Sequence, residues 1–244
     1  MSDEQGSVTE PRTVGVLGGM SSQSTIEYYR LLDEGVNDAL GGHNAANVLI
    51  RSVNFAEIVR CIRDERWDDA GERLAAAARE LEAGGAAFVV LATNTMHRVA
   101  PHIVRELSIP FVHIVDVTAD AIHDAGVGTV GVLGTQATME GAFYRDRFAD
   151  HGIDVVVPER RSREDVDEII FEELTHGHIR AQSRQRYLEV IDDLVGAGAE
   201  GIVLGCTEIT ELLEQADRPG MPFFDTTRLH VERAVERSLE TDNR

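Results

Sequence analysis

Lysine is absent from all 244 residues; the 23 basic side chains are arginines. Without it there is no amine to hold pyridoxal phosphate as a Schiff base, so ordinary chemistry of that cofactor is excluded. The lysine of a phosphate-binding P-loop is missing for the same reason. Cysteine is almost as scarce. Cys61 and Cys206 are the only two, too few for a disulfide framework or a four-cysteine zinc site. The nine histidines show no His-Glu-x-x-His or comparable spacing, so no metal is expected. No apolar run approaches the roughly 18 to 20 residues needed to span a bilayer. Met1 to Thr13 is polar and acidic, without the basic and apolar regions of a signal peptide. A short disordered tail over 1–12 and a cytoplasmic location are expected.

Charge of one sign is in excess. Asp and Glu total 43 against 23 basic residues, a formal net charge of −20 and a pI near 4.7. Such a surface argues against nucleic acid and anionic membranes as partners. An acidic, lysine-free surface suits a salt-rich cytoplasm, where salt screens self-repulsion; biased codon usage is a second explanation for arginine replacing lysine.

Apolar residues are plentiful at 43%, which suits a globular chain. Short unbroken apolar runs alternate with longer amphipathic stretches rich in Ala, Arg and Glu. The runs predict strands at Thr13–Leu17, Asn47–Val53, Phe88–Ala92, Phe111–Val115, Thr129–Leu133, Asp154–Val157, Gly201–Leu204 and Phe223–Phe224. The stretches between predict helices, among them Ser24–Leu40, Trp67–Ala83, Met96–Leu107, Met139–His151, Glu164–His176, Arg180–Gly196 and Thr227–Thr241. Unbroken apolar strands alternating with helices predict parallel α/β sheets covered on both faces.

An internal repeat organises these elements. Val14-Gly-Val-Leu-Gly-Gly19 returns as Val130-Gly-Val-Leu-Gly-Thr135. The segment from Ala83 to Thr95 is echoed from Gly196 to Glu208, and Ile109-Pro110-Phe111 by Met221-Pro222-Phe223. One such match means little, because every βα unit resembles every other. Three in the same order at nearly constant displacement predict two pseudo-symmetric lobes, each a mostly parallel sheet flanked by helices. The expected boundaries are 13–110 and 111–219, with a C-terminal strand and helix over 220–244 packing back on the first lobe. The active site is expected in the cleft between the lobes.

In parallel α/β sheets ligands bind beyond the carboxyl ends of the strands. The repeat puts four segments there: Gly18-Gly19-Met20, Thr93-Asn94-Thr95, Gly134-Thr135 and Cys206-Thr207-Glu208. Gly18-Gly19 lacks the G-x-G-x-x-G spacing, so dinucleotide binding is not supported. Helix N-termini there would suit a carboxylate, and Thr95 and Thr207 read equally well as helix caps or as substrate contacts. Cys206 follows an apolar strand and precedes a helix start, where a thiol pKa is lowered toward the reactive thiolate; a small buried packing residue is the plainer alternative. Cys61, in Ile-Val-Arg-Cys-Ile-Arg, reads as packing. Thr93 is too weak an acid to act as an autonomous base at neutral pH, which leaves it donating or relaying a proton, or binding substrate.

Taken together, Gly-Val-Leu-Gly-Gly-Met-Ser, Thr93-Asn-Thr-Met-His97, Gly-Val-Leu-Gly-Thr135 with Thr138-Met-Glu140, Ile-Ile-Phe-Glu-Glu-Leu174 and Gly205-Cys-Thr-Glu-Ile209 resemble the aspartate/glutamate racemase family, in order, over nearly the whole chain. The resemblance implies a cofactor-free two-base mechanism, in which one residue removes the α-proton of an amino acid and another protonates the opposite face. It makes Cys206 one catalytic residue and sets Thr93 where the family commonly has its first thiol, with Asn94, Thr95, Thr207 and Met20 expected at the substrate. A branch of the family with Thr at that place matches most closely. The implied substrate is aspartate or glutamate, or a broader set of amino acids, and the implied assembly a homodimer. Relatives specific for aspartate hold its side chain with basic residues. Here Arg60 or Arg63 and Arg161 or Arg163 offer themselves, with Arg163 expected at the substrate; solvent-facing arginines on an acidic protein would look the same. A single-thiol decarboxylase or cis-trans isomerase of the same superfamily, and a non-catalytic amino-acid binding protein, are the alternatives.

Overall fold

A computed structural model describes residues 10–240. Its eight strands are β1 (Val14–Gly18), β2 (Val48–Ser52), β3 (Phe88–Leu91), β4 (Phe111–Val112), β5 (Thr129–Gly134), β6 (Asp154–Val156), β7 (Gly201–Gly205) and β8 (Phe223–Asp225). They form two parallel four-stranded sheets flanked by helices, ordered β2-β1-β3-β4 and β6-β5-β7-β8. The same order occurs twice, as the sequence repeat predicts. β1, β3 and β7 are buried throughout and β5 nearly so, while β2 and β6, at the sheet edges, alternate or expose residues. Apolar runs thus mark the inner strands, and Arg51 and Asp154 mark the edges.

Two units divide the described chain. The first holds residues up to Val90, then His102–Phe111 and those from Val231 onward; the second holds Leu91–Pro101 and Val112–His230. Three features differ from the expected organisation. β8, expected to pack with the first lobe, pairs with β7 through Ile202 to Phe223, Val203 to Phe224 and Leu204 to Asp225. The loop from Leu91 to Pro101, expected in the first lobe, groups with the second unit. Of the tail expected over 1–12, residues 1–9 lie outside the described residues, and the Arg12 N–H donates to the Ser238 carbonyl at 2.7 Å.

The strand expected over Phe111–Val115 ends at Val112, and a helix runs from Ile114 to Asp124. The β-branched run hides it, but His113 stops the strand. Its backbone is extended and its ring accepts the Val115 N–H at 3.2 Å, capping the helix. The helix expected over Met139–His151 is broken at Gly141 into Gln136–Glu140 and Ala142–Asp150.

The turn after β1 in the first unit is tightly built. Gly19 sits at φ +94° and donates to Thr25 Oγ1 at 2.8 Å, and a Cβ there would lie 2.4 Å from the Val53 carbonyl oxygen. Both the left-handed backbone and the lack of space demand glycine. Gly19→Ala is expected to destabilise the protein by about 2–3 kcal/mol, the combined scale of a strained backbone and an overpacked site, read as a lowered urea midpoint with unchanged slope.

Candidate active site

The strand order β6-β5-β7-β8 reverses direction at its central pair, and the ends of β5 and β7 lie at that switch point, where α/β sheets bind ligands. Glycine closes each strand, and a Cβ on Gly205 would stand 3.1 Å from the Leu133 carbonyl oxygen. Cys206 follows directly and is partly exposed. Its thiol donates to Glu208 Oε2 at 2.9 Å, and Thr207 Oγ1 donates to the same oxygen at 2.7 Å. Burial, the Glu208 charge and the hydrogen bond to that carboxylate push the Cys206 thiol well above its ordinary value, with Asp167 adding to the effect.

This reverses the expectation of an acidified thiol. The following helix, Ile209–Leu212, is one turn long, and burial together with the neighbouring carboxylate outweighs its N-terminus. Cys206 therefore rests as a protonated thiol with an acceptor already in place for its proton. Asp167 is itself half-buried, raised by burial, and accepts the Gln136 N–H at 2.6 Å.

The Thr93 loop belongs to the same unit. The Asn94 side chain is buried, and its bonds form a directed chain. Tyr144, kept protonated by burial, donates to Asn94 Oδ1 at 2.9 Å; Asn94 Nδ2 donates to Thr226 Oγ1 at 3.0 Å; Thr226 donates to the Leu204 carbonyl at 3.0 Å. Each donor and acceptor role is fixed by the next. Asn94 thus ties its loop to β7 two residues before Cys206. Thr95 Oγ1 meets Thr135 Oγ1 at 3.2 Å and Thr138 Oγ1 at 3.1 Å, and those two are 3.2 Å apart, a triangle of hydroxyls between the Thr93 loop and the end of β5. Thr93 is partly exposed. Its N–H and C=O are bonded, to the Leu91 carbonyl at 2.8 Å and to His97 Nδ1 at 2.7 Å, and its hydroxyl has no partner among the described residues.

The remaining expected residues are not among the partners in these bonds. Arg163 Nε pairs with Glu140 at 3.0 Å and Nη1 donates to the Pro158 carbonyl at 2.6 Å. Met20 is buried at the end of β1 in the first unit. Cys61 is buried, the packing role expected of it. Among the described residues no group of three or more His, Cys, Asp or Glu could hold a metal ion, and no helix is long and apolar enough to cross a membrane.

A family model described as Asp/Glu/Hydantoin racemase matches residues 17–234. The chain belongs to this racemase family. A candidate Asp/Glu racemase of known structure from Yersinia pestis is 42% identical, with 94% of this chain and 100% of that one covered and a TM-score of 0.89. An aspartate racemase homologue from Pyrococcus horikoshii is 32% identical over 94% of this chain and 100% of its own, TM-score 0.85. The broad specificity amino-acid racemase RacX of Bacillus subtilis is 25% identical over 224 residues, 88% of this chain and 92% of that protein.

Two features of this racemase-family site were not assigned from sequence. Glu208 was visible as the residue two after the cysteine, yet only folding shows its carboxylate accepting the thiol hydrogen bond. Tyr144 and Thr226 carried no motif signal, being an aromatic on a helix and a threonine after a short strand; only their shared contact with Asn94 reveals them.

Proposed function

We propose that this protein is a cofactor-independent amino-acid racemase acting on aspartate or glutamate by removal and return of the α-proton. One observation carries the reading: the Cys206 thiol, at the end of β7, is hydrogen-bonded to the Glu208 carboxylate. The α-proton of an amino acid is a very weak acid, and a thiol with a proton acceptor in place can be converted into the thiolate base that removes it. In the proposed cycle Glu208 takes the thiol proton as substrate arrives, and Cys206 removes the α-proton on one face. The carbanion is reprotonated from the opposite face, where the Thr93 hydroxyl donates or relays a proton. A hydroxyl is a far weaker acid than a thiol, so the two faces are unequal and one direction of turnover dominates. Thr95 and Thr207 would turn their hydroxyls from their present partners, Thr135 and Thr138 in one case and Glu208 in the other, to the substrate α-carboxylate. Arg163 Nη2, with no partner among the described residues, is the group proposed for the side-chain carboxylate.

The test is deuterium exchange. L- and D-aspartate, L- and D-glutamate and several neutral amino acids are incubated with protein in D₂O, following the α-proton by NMR and the antipode by chiral chromatography. Exchange with aspartate or glutamate, faster than antipode formation, is expected. No exchange with any amino acid in folded protein would overturn the reading and favour a decarboxylase, an isomerase or a binding protein; saturable stabilisation by an amino acid without turnover would mark the last.

A further inference from the structure

His97 lies four residues beyond Thr93, and its ring is almost wholly buried. Its Nε2 accepts the Ile114 N–H at 3.2 Å, so the ring proton sits on Nδ1, which donates to the Thr93 carbonyl at 2.7 Å. The backbone N–H of His97 donates to the next carbonyl, Asn94, at 3.1 Å. One residue therefore holds two successive carbonyls of the loop and anchors them to the start of the Ile114–Asp124 helix. In a trans peptide the C=O and the following N–H point in opposite directions. Pinning the Thr93 carbonyl onto a buried ring turns the Asn94 N–H away from that ring, and this N–H finds no acceptor among the described residues.

We propose that His97 is a positioning residue that, through its Nδ1–H bond to the Thr93 carbonyl, fixes the Thr93–Asn94 peptide and so aims the Thr93 hydroxyl and the Asn94 N–H at the substrate. The inference deepens the racemase reading and rests on it for the word substrate; the fixing of the peptide does not. His97 touches no reacting atom in this scheme. Its effect on the balance between the two faces comes through Thr93, because Cys206 is held by β7 and Glu208 and the Asn94 N–H serves both faces alike. A displacement near 1 Å at a reacting group can cost up to about a hundredfold in rate.

Two amides separate positioning from packing. In His97→Asn the side-chain N–H stands about where Nδ1–H stood and still reaches the Thr93 carbonyl. In His97→Gln the amide lies one methylene further out, keeping contact with the Ile114 N–H and losing the carbonyl. Cys206-face exchange with retention needs only Cys206 and its partner Glu208, whereas inversion needs both faces. His97→Gln is expected to lower inversion relative to retained-configuration exchange by about 10- to 100-fold, with KM within about threefold. His97→Asn is expected to bring the ratio back to within about fivefold of the unmodified protein, although both variants melt at similar temperatures. The second readout needs no turnover: in ¹⁵N–¹H spectra the Asn94 amide signal shifts strongly in His97→Gln and returns toward its original place in His97→Asn. Equal losses in both variants and on both faces, or an unmoved Asn94 amide in His97→Gln, would overturn the proposal. If the unmodified protein exchanges no amino acid, the racemase reading falls, and the amide spectra alone decide whether His97 fixes this peptide.

Discussion

Cys206→Ala is expected to remove both α-proton exchange and antipode formation, by at least about a thousandfold, while the protein stays folded. A positioned acid–base group contributes typically 10²–10⁴-fold, and the upper part of that range applies because the partner on the opposite face is a hydroxyl. Two strong bases could each sustain exchange alone; a threonine left without the thiol cannot. The side chain is small and partly exposed, so its truncation leaves little cavity. Residual exchange above about a tenth of the original rate would mean that another group does the chemistry.

Glu208→Gln gives the same argument a second, sharper form, because it moves two observables in opposite directions. Glu208 is among the groups raising the Cys206 thiol, by its charge and by accepting the thiol hydrogen bond. A neutral amide removes the charge, so the thiol becomes more acidic: the pH at which iodoacetamide reaction accelerates moves down, with Cys61→Ala as background. A more available thiolate would speed the reaction if acidity were all that mattered. Under the proposed cycle Glu208 also receives the thiol proton, and the amide cannot. Turnover near pH 7 is therefore expected to fall by about 10- to 100-fold although the thiol is easier to ionise. Faster turnover would assign Glu208 to packing or electrostatic restraint alone.

The strand frame was legible in sequence for a physical reason. An inner strand of a parallel sheet is buried on both faces and must be an unbroken apolar run, and Val14–Leu17 and Gly201–Leu204 have no other reading. Duplication made the reading firmer, since β5 and β7 repeat β1 and β3. The rule that ligands sit at strand ends then picked out Thr93 and Cys206 without any side-chain geometry. What failed was whatever depended on where a side chain points and on what encloses it. The helix starting at Ile114 was hidden because Phe111–Val115 is equally apolar as strand or as buried helix, and a histidine ring, not a residue with an obvious capping preference, decides the matter. The acidity of Cys206 was read with the wrong sign because a helix start was visible in sequence and the enclosing protein and the orientation of Glu208 were not. Asn94 is expected at the substrate from sequence; Tyr144 and Thr226 already hold its side chain, which shifts the proposed binding role toward its backbone N–H.

The buried histidines should make the protein acid-labile well above the range where carboxylates titrate. His97 lies 4.6 Å from His113 and 5.8 Å from His230 between ring centroids. Burial pushes His97 far below its usual value, with His113 and His230 adding to it; burial likewise takes His113 and His230 from 6.5 to about 4. Around His113 the Asp116 carboxylate opposes the shift while Arg147 and His151 reinforce it, and the Val112 carbonyl opposes it at His230. A folded-state value below the unfolded one means that the unfolded chain binds more protons between pH 6.5 and about 4. Stability is therefore constant well above pH 6.5 with respect to these groups, falls as pH drops through that window, and levels off below it. Each histidine costs up to about 1.4 kcal/mol per pH unit, so two to three of them remove about 4–6 kcal/mol by pH 5, a large part of the 5–15 kcal/mol typical of a folded domain. Urea unfolding at pH 8, 6.5 and 5 is expected to show the midpoint slightly lower over the first step, where half-protonated histidines of the unfolded chain cost about 0.4 kcal/mol each, and sharply lower over the second. His230→Gln, which can keep a donor toward the Val112 carbonyl that the ring bonds at 2.9 Å, should flatten that fall by about one proton's worth. Stability that stays level from pH 8 to 5 would mean that the ring cluster opens to water or takes up its protons without unfolding.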